Sequence, residues 1–518
     1  MYTPQHISKT SYIDGIKCPK FLWYKVHEPS KIPQDTAIDR IRMDDGLRVG
    51  QKARELYPDG IRIERALEPE VMHKRSMEAL NLRKPLFEPG FVYKNGYALA
   101  DILIPAGSEE WELYEVKASS SIDSKTVNCV LGGNLNYYYA DVAFQKYVYT
   151  GAGIKLRKFS IMHLNKGYIY DGKELMLKEL IKSAEELDNN IIGSITAGID
   201  KHAPYIEKNI ESLLKVLSEK KLPEVKLGRY CKNCKLESDC EKDIGLPAEG
   251  NVMRLRMDRE GLRFKMLEKK IYKIGDIRVT ADIKDPKRTQ IEAHRDGGPK
   301  KKDKLLAGFL KKAKYPAYFL DFETIAPAVP VYARTHTYQQ IPFQFSLHVV
   351  KEKGAKPEHY GYLAPGVVDP RPEILSRLKK LLGKKGSIFA YNVSFEKSRL
   401  EEACSGNPEN EGWFKNNIEA RLIDLEEPFD KFFYYDPRQE GSTSIKNVYP
   451  ALLGRDAYKG LGIAEGGDAM KKYMDVTFKE VDENVRAKVR ADLEKYCEQD
   501  TMSMVEILKK LEEIVEKS

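Results

Sequence analysis

Asp321 and Glu323 stand one residue apart at the end of the run Tyr318-Phe319-Leu320, an unusual load for an apolar strand. Alternate side chains of a strand share a face, so the two carboxylates point the same way and repel unless a cation lies between them. A divalent metal would satisfy that geometry; a buried strand ending in a solvated acidic turn would carry the same residues. Two further sets have spacing that could do chemistry. Asp101 ends one apolar run, and Glu115 and Lys117 lie two apart on the next, hence on one face. Cys231-x2-Cys234-x5-Cys240 gathers three thiols, and Cys18, far upstream, is the candidate for a fourth. Seven cysteines, an odd number in a long chain, argue against a disulfide framework and for metal spacing.

The elements that must position these groups follow from pattern and punctuation. Residues 8–18 read as a short capped helix, and 35–56 as a polar helix ended by Pro58-Asp59-Gly60. Residues 87–93 and 97–105 are expected as a hairpin turned at Lys94-Asn95-Gly96, with 111–118 as a third strand. A helix over 137–149 puts Gln145 and Tyr149 on one face, and another helix spans 205–220 before Pro223. Residues 387–390 read as a strand that turns at Asn392 into a helix bearing Glu396. Residues 493–501 belong to a long helix on which Tyr496 and Asp500 share a face. Ser442 or Ser444 is a candidate N-cap ahead of Lys446, a possible phosphate contact.

A chain of 518 residues exceeds one ordinary core, so two domains and a connector are expected. The 86 basic residues outnumber the 78 acidic ones by a margin that favours a polyanionic partner only slightly, and a mixed surface would give the same balance. Mean hydropathy is −0.51, and no apolar stretch reaches the roughly 18 residues needed to span a bilayer. The segment Met1-Tyr2-Thr3-Pro4-Gln5-His6 lacks the apolar region of a signal peptide, so a cytoplasmic location without membrane contact is the expectation. Gly297-Gly298-Pro299 followed by the basic run 300–304 marks a domain boundary, and 271–277 reads as a helix–turn–helix contact or a connector helix.

Asp101 followed by Glu115-x-Lys117 resembles the core of the PD-(D/E)XK nucleases, and Gln145-x3-Tyr149 resembles the element that follows the catalytic lysine in their RecB-like branch. The resemblance implies that Asp101 and Glu115 hold Mg²⁺ or Mn²⁺ and that Lys117 orients or activates the attacking water, with Gln145 and Tyr149 in the catalytic group. Cys18 and the late trio Cys231, Cys234 and Cys240 bracket that core much as the iron–sulfur staple does in AddB-type and CRISPR-associated RecB-like nucleases. This implies a 4Fe–4S cluster on four thiolates, with four-thiolate zinc as the alternative. One departure stands out: these relatives usually carry a metal-binding histidine before the hairpin, and residues 46–55 contain none. Glu55 or Glu88 is the candidate substitute.

Asp321-x-Glu323, then Asn392-x2-Phe395-Glu396, then Tyr496-x3-Asp500 resemble, in that order, the motifs of the DEDDy branch of the RNase H-like 3′–5′ exonucleases. That resemblance implies two divalent ions on Asp321, Glu323, Glu396 and Asp500, with Tyr496 positioning the nucleophilic water. Glu396 stands where the family has aspartate, so Asp424 is the alternative middle carboxylate. The whole layout is also similar to a prokaryotic family, catalogued only as a domain of unknown function, that joins such domains. The expected organisation is α/β: a restriction-endonuclease-like domain with a four-cysteine staple over 1–245, a helical basic connector over 246–315, and an RNase H-like domain over 316–518. The function it implies is metal-dependent hydrolysis of nucleic acid, DNA rather than RNA, in repair, recombination or defence. An inactive nucleic-acid-binding scaffold and an RNA-processing exonuclease are the alternatives.

Overall fold

The computed structural model describes residues 5–121, 137–187, 191–228, 231, 234–259 and 261–517. The chain is mixed α/β and forms two compact units, Met1–Glu241 with Pro327–Gln339, and Lys242–Ala326 with Gln340–Ser518. No helix of the described residues is long and apolar enough to cross a membrane.

The first unit contains strands β1 (Ile7–Ser8), β2 (Ile61–Arg62), β3 (Leu86–Phe87), β4 (Gly90–Tyr93), β5 (Gly96–Leu99), β6 (Ile102–Ala106), β7 (Glu110–Lys117), β8 (Leu156–Leu164) and β9 (Ile181–Ser183). They form one sheet ordered β2-β3-β6-β7-β8-β9 and a small one ordered β1-β5-β4. Strands β7 and β8 are parallel, which requires a crossover, and the helix Tyr137–Gly151 lies within it. Tyr139, Ala140, Val142, Phe144 and Val148 bury that helix, and Phe144 stacks on Tyr12 of the helix Lys9–Lys17 with centroids 4.7 Å apart.

The hairpin expected over 87–105 is split between the two sheets. Glu88 adopts a left-handed backbone (φ 56°) and Pro89 has no N–H to donate, so the chain leaves the ladder between β3 and β4. Its partner breaks at the same level, where Glu88 N donates to Asp101 O at 3.2 Å. Asp101 therefore sits where the sheets part rather than at the end of a continuous strand. The segment Pro327–Gln339 packs into this unit: Ala328 and Val329 are buried with Ile102, Tyr114 and Leu164, and Tyr338 Oη donates to Ala118 O at 2.7 Å.

The second unit contains β10 (Lys300–Lys301), β11 (Ala317–Ile325), β12 (Ile341–Val350), β13 (Glu358–Leu363), β14 (Ser387–Ala390), β15 (Leu422–Asp424) and β16 (Tyr434–Tyr435). The main sheet runs β13-β12-β11-β14-β15, with β14 parallel to both β11 and β15. The helix Glu483–Glu516 starts at Asp482, whose side chain accepts from Asn484 N and Val485 N. It buries Leu493, Cys497, Met504, Ile507, Leu508 and Leu511 at three- and four-residue spacing, an apolar stripe that faces the sheet. Polar pins fix its register. Gln344 Nε2 donates to Leu493 O at 2.9 Å, and Thr501 Oγ1 lies 2.7 Å from Ser346 Oγ and 2.8 Å from His348 Nδ1. Ser346 is the ladder partner of Asp321, so the pins bring the Asp500 turn to that strand.

Residues 246–315, expected as a connector, fold into the second unit. The glycine-rich stretch is no loose boundary: Gly297 (φ 68°) caps the helix Lys287–Asp296, and β10 pairs antiparallel with β16. Within residues 271–277 the chain forms a 3₁₀ turn at Ile274–Asp276, with Ile274 and Ile277 buried against Val252, Leu255 and Ile291, not a helix–turn–helix. Gly250 N donates to the Glu440 carboxylate, and Arg256 pairs with Asp430 at 2.5 Å.

Candidate functional site

The alternation of β11 sets Asp321 and Glu323 on one face, and the pinned helix brings Asp500 to them. Carboxylate oxygens of Asp321, Glu323 and Asp500 lie within 4.8 Å of one another. Two like charges at about 4 Å repel by about 4 kcal/mol at an effective dielectric of 20, so such a group needs protons or a cation. Burial, joined by the Asp500 charge, raises the Asp321 carboxyl; burial with Asp321 and Asp500 raises Glu323; and burial pushes Asp500 up to about 6. Their direct partners are neutral: Tyr458 Oη donates to Asp500 Oδ1 at 2.7 Å, and Cys497 Sγ lies 3.5 Å from Asp321 Oδ2. Among the described residues no ion pair reaches Asp321, Glu323, Glu396 or Asp500. The cation that influences them, Lys446, donates instead to Tyr496 Oη and Ala464 O, both at 2.6 Å.

Glu396 and Asp424, the two candidates for the middle carboxylate, differ in their commitments. Asp424 Oδ1 accepts backbone N–H bonds from Asn392 at 3.1 Å and Glu426 at 2.9 Å, which closes the turn after β14. Glu396 lies in the first turn of the helix Val393–Cys404, is 2% exposed, and leaves Oε2 without a partner among the described residues. Burial and the Asp321 charge raise its carboxyl. A cavity of about 510 Å³ opens on Asp321, Glu323, Tyr496 and Asp500, with Lys446, Glu426 and Glu465 also on its walls. Sequence reading missed Glu426, Glu465, Tyr458 and Cys497. Only Cys497 carried a local signal, its place beside Tyr496; the others arrive through tertiary structure.

The first unit assembles its expected residues quite differently. Glu115 and Lys117 point from β7 toward the helix Tyr137–Gly151, where Asp141 and Gln145 meet them, and Lys9 enters from the first turn of its own helix. Glu115 Oε1 accepts from Lys9 Nζ at 2.8 Å and Lys117 Nζ at 2.6 Å, while Oε2 accepts from Lys9 Nζ at 2.9 Å and Gln145 Nε2 at 2.7 Å. Asp141 takes Lys117 at 2.6 Å and Lys9 at 3.4 Å. Burial alone would raise Glu115, but Lys117 and Lys9 outweigh it and hold the carboxyl below the usual range. Asp101 is pushed up to about 7 by burial and by Glu115, and its Oδ2 accepts from Val116 N at 2.7 Å.

Tyr149 lies with its hydroxyl tied to backbone: Oη donates to Pro89 O at 2.5 Å and accepts from Ala100 N at 2.7 Å, bracing the break that presents Asp101. Neither proposed replacement for the missing histidine is free. Glu55 pairs with Lys52 at 2.8 Å, and Glu88 is held by Arg54, Arg62 and Arg65 at 3.7, 3.3 and 3.1 Å. Lys9 and Asp141 were not singled out by sequence, because Lys9 is one lysine among many and Asp141 needed the helix register.

Cys234 and Cys240 lie close enough to Cys18 and Cys231 to influence both of those thiols. Burial pushes Cys231 up to about 11 and raises Cys18, and neighbouring thiols add to both shifts. No three of these sulfurs, among the described residues, lie within 4.8 Å of one another.

A family described as a domain of unknown function (DUF2779) matches residues 318–444, which include Asp321, Glu323 and Glu396 and end before Tyr496 and Asp500. An uncharacterized protein of Mycoplasma pneumoniae is 27% identical over 216 residues, 38% of this chain and 32% of its own length. Its counterpart in Mycoplasma genitalium is 24% identical over 226 residues, 40% of this chain and 33% of its own length. The chain thus spans about a third of the length of these curated relatives.

Proposed function

We propose that the second unit is an RNase H-like, DEDDy-type 3′–5′ exonuclease acting on DNA, and that the first unit is a RecB-like PD-(D/E)XK domain. The observation that supports this reading is the convergence of Asp321, Glu323 and Asp500, of which Glu323 and Asp500 are buried and none is ion-paired among the described residues. Carboxylate oxygens suit Mg²⁺ or Mn²⁺. When bound, the ions would neutralise the developing charge of an in-line phosphodiester displacement. Asp321, Glu323 and Asp500 would hold them, with Glu396, whose buried Oε2 is uncommitted, favoured over Asp424 as the fourth carboxylate.

The remaining work falls to Tyr496 and Lys446. Tyr496 Oη accepts from the Lys446 ammonium and hydrogen-bonds the Asp500 carboxylate, which holds the phenol at the wall of the cavity, where it would orient the attacking water. Lys446 also supplies positive charge beside an acidic cavity that must admit a phosphodiester. In the first unit, the four neighbouring cysteines are proposed to hold a 4Fe–4S cluster. Four-thiolate zinc is the alternative occupant of the same residues.

The test is a Mg²⁺- or Mn²⁺-dependent degradation assay on 5′-labelled single-stranded DNA. Stepwise shortening from the 3′ end is expected, with Asp321→Ala and Asp500→Asn at least 10²-fold slower. Equal rates in wild type and both variants would overturn the assignment, and degradation of RNA alone would overturn the choice of DNA.

A further inference from the structure

The carboxylates of the first unit do not fit a divalent ion as they stand, because the chain has already supplied their counter-charge. Each oxygen of Glu115 accepts two donors, and both ammoniums of the group bridge Glu115 and Asp141. Two lysines against two ionised carboxylates leave little net charge to attract a dication, and both oxygens of the residue that would have to ligate it are taken. In the second unit, by contrast, no ammonium pairs with Asp321, Glu323 or Asp500 among the described residues.

The position of Lys9 is built rather than incidental. Ile7 and Ser8 pair with Gly96 and Tyr97 in the small sheet, and Ser8 Oγ then caps the helix by accepting from Ser11 N at 3.1 Å. Lys9 is thus the first helical residue after a strand, with fixed backbone on both sides. Three residues on, Tyr12 is buried against Phe144, on the same helix that carries Asp141 and Gln145. Withdrawing Lys9 would mean breaking that anchorage or leaving two carboxylates facing each other.

We propose that Lys9 occupies the place of the divalent ion in the first unit, so that Asp101, Glu115 and Asp141 form an internally neutralised ionic group and only the second unit's carboxylates bind metal. The proposal narrows the function given above to one metal-dependent centre. It makes Lys9 a positioning residue that ties the N-terminal helix to β7.

Mn²⁺ binding to the full chain, counted by equilibrium dialysis and by the loss of the free-ion electron paramagnetic resonance signal, tests it. Mn²⁺ prefers oxygen ligands and so leaves the cysteines aside. In an Asp321→Asn/Asp500→Asn background, which disables the second centre, no Mn²⁺ site is expected while Lys9 is present. Adding Lys9→Met should create one site, at least tenfold tighter than any residual binding, that Glu115→Gln removes; Lys9→Arg, which keeps the charge, should create none. A Mn²⁺ site in the background protein that Glu115→Gln abolishes would overturn the proposal, and so would a folded Lys9→Met variant that gains no site. Should Lys9→Met fail to fold, the background protein with and without Glu115→Gln decides alone. Failure of the exonuclease reading would show separately, as absence of Mn²⁺ from wild type.

Discussion

Asp500, pushed up to about 6 by burial, titrates near 3.9 in an unfolded chain, so between those values the folded state holds the extra proton. The sign follows: the metal-free protein loses stability as pH rises from about 4 through 6, by about 3 kcal/mol for this group alone. Asp500→Asn removes that dependence while keeping an acceptor for Tyr458. Thermal melts of both proteins from pH 4 to 8 should show the variant gaining on wild type as pH rises, and Mn²⁺ should stabilise wild type more at pH 8 than at pH 5. Parallel curves would sink the claim that Asp500 is buried without a counter-cation. Asp321, Glu323 and Asp500 were legible in the sequence because each lies in a short pattern: the period of a strand or an i,i+4 pair on a helix. Glu426 and Glu465 were not, since nothing near them in the sequence says that a strand end and a loop will turn them toward the same cavity.

At the scale of elements, β11 and the long helix carry the ligand candidates, but Thr501 sets their register. Its hydroxyl serves both Ser346 and His348 from a fully buried position, one residue beyond Asp500. Thr501→Val keeps the shape and leaves two buried polar groups short of a partner, at a cost of about 1–3 kcal/mol. The urea midpoint should fall accordingly, and the proposed exonuclease activity should fall further than stability explains, because Tyr496 and Asp500 ride on the turn that loosens. An unchanged midpoint would mean that the apolar stripe alone fixes the register. Helix and strand were readable here from periodicity; their mutual offset was not, because it is decided by side chains on two elements far apart in sequence. The hairpin expected over 87–105 forms, turning at Lys94-Asn95 and pairing in one register on both sides of Glu88, but its division between two sheets was not readable. Its apolar pattern continues through Glu88 and Asp101, while the left-handed turn at Glu88 breaks the ladder there. Residues 297–304 misled in the opposite sense: Gly297 signals a helix end as readily as a linker, and Lys300 and Lys301 are strand residues in register with Tyr435 and Tyr434.

For the molecule as a whole, the sequence carried two acidic centres and a four-cysteine set, and the structure divides them between two units. Charge composition, near balance overall, gave no hint that Lys9 and Lys117 would pair with the carboxylates of one centre while, among the described residues, no ammonium pairs with Asp321, Glu323 or Asp500. That difference lies in where a few lysines fall, not in how many there are.

The membership of Pro327–Gln339 in the first unit means that its gene segment is interrupted. A coding stretch ending at residue 241 encodes most of that unit but not all of it, since the remainder is written inside the second. Residues 1–241 expressed alone would lack the cover that Val329 and Ala328 give to Ile102 and Tyr114, and the bond from Tyr338 to Ala118, next to Lys117. The lost burial of Val329 alone amounts to about 2 kcal/mol. Rejoining residues 327–339 through a flexible glycine–serine linker should raise the melting temperature of such a fragment; equal melting points with and without the graft would show the segment to be dispensable. By the same logic, neither half can be exchanged by a single recombination event without leaving part of itself behind.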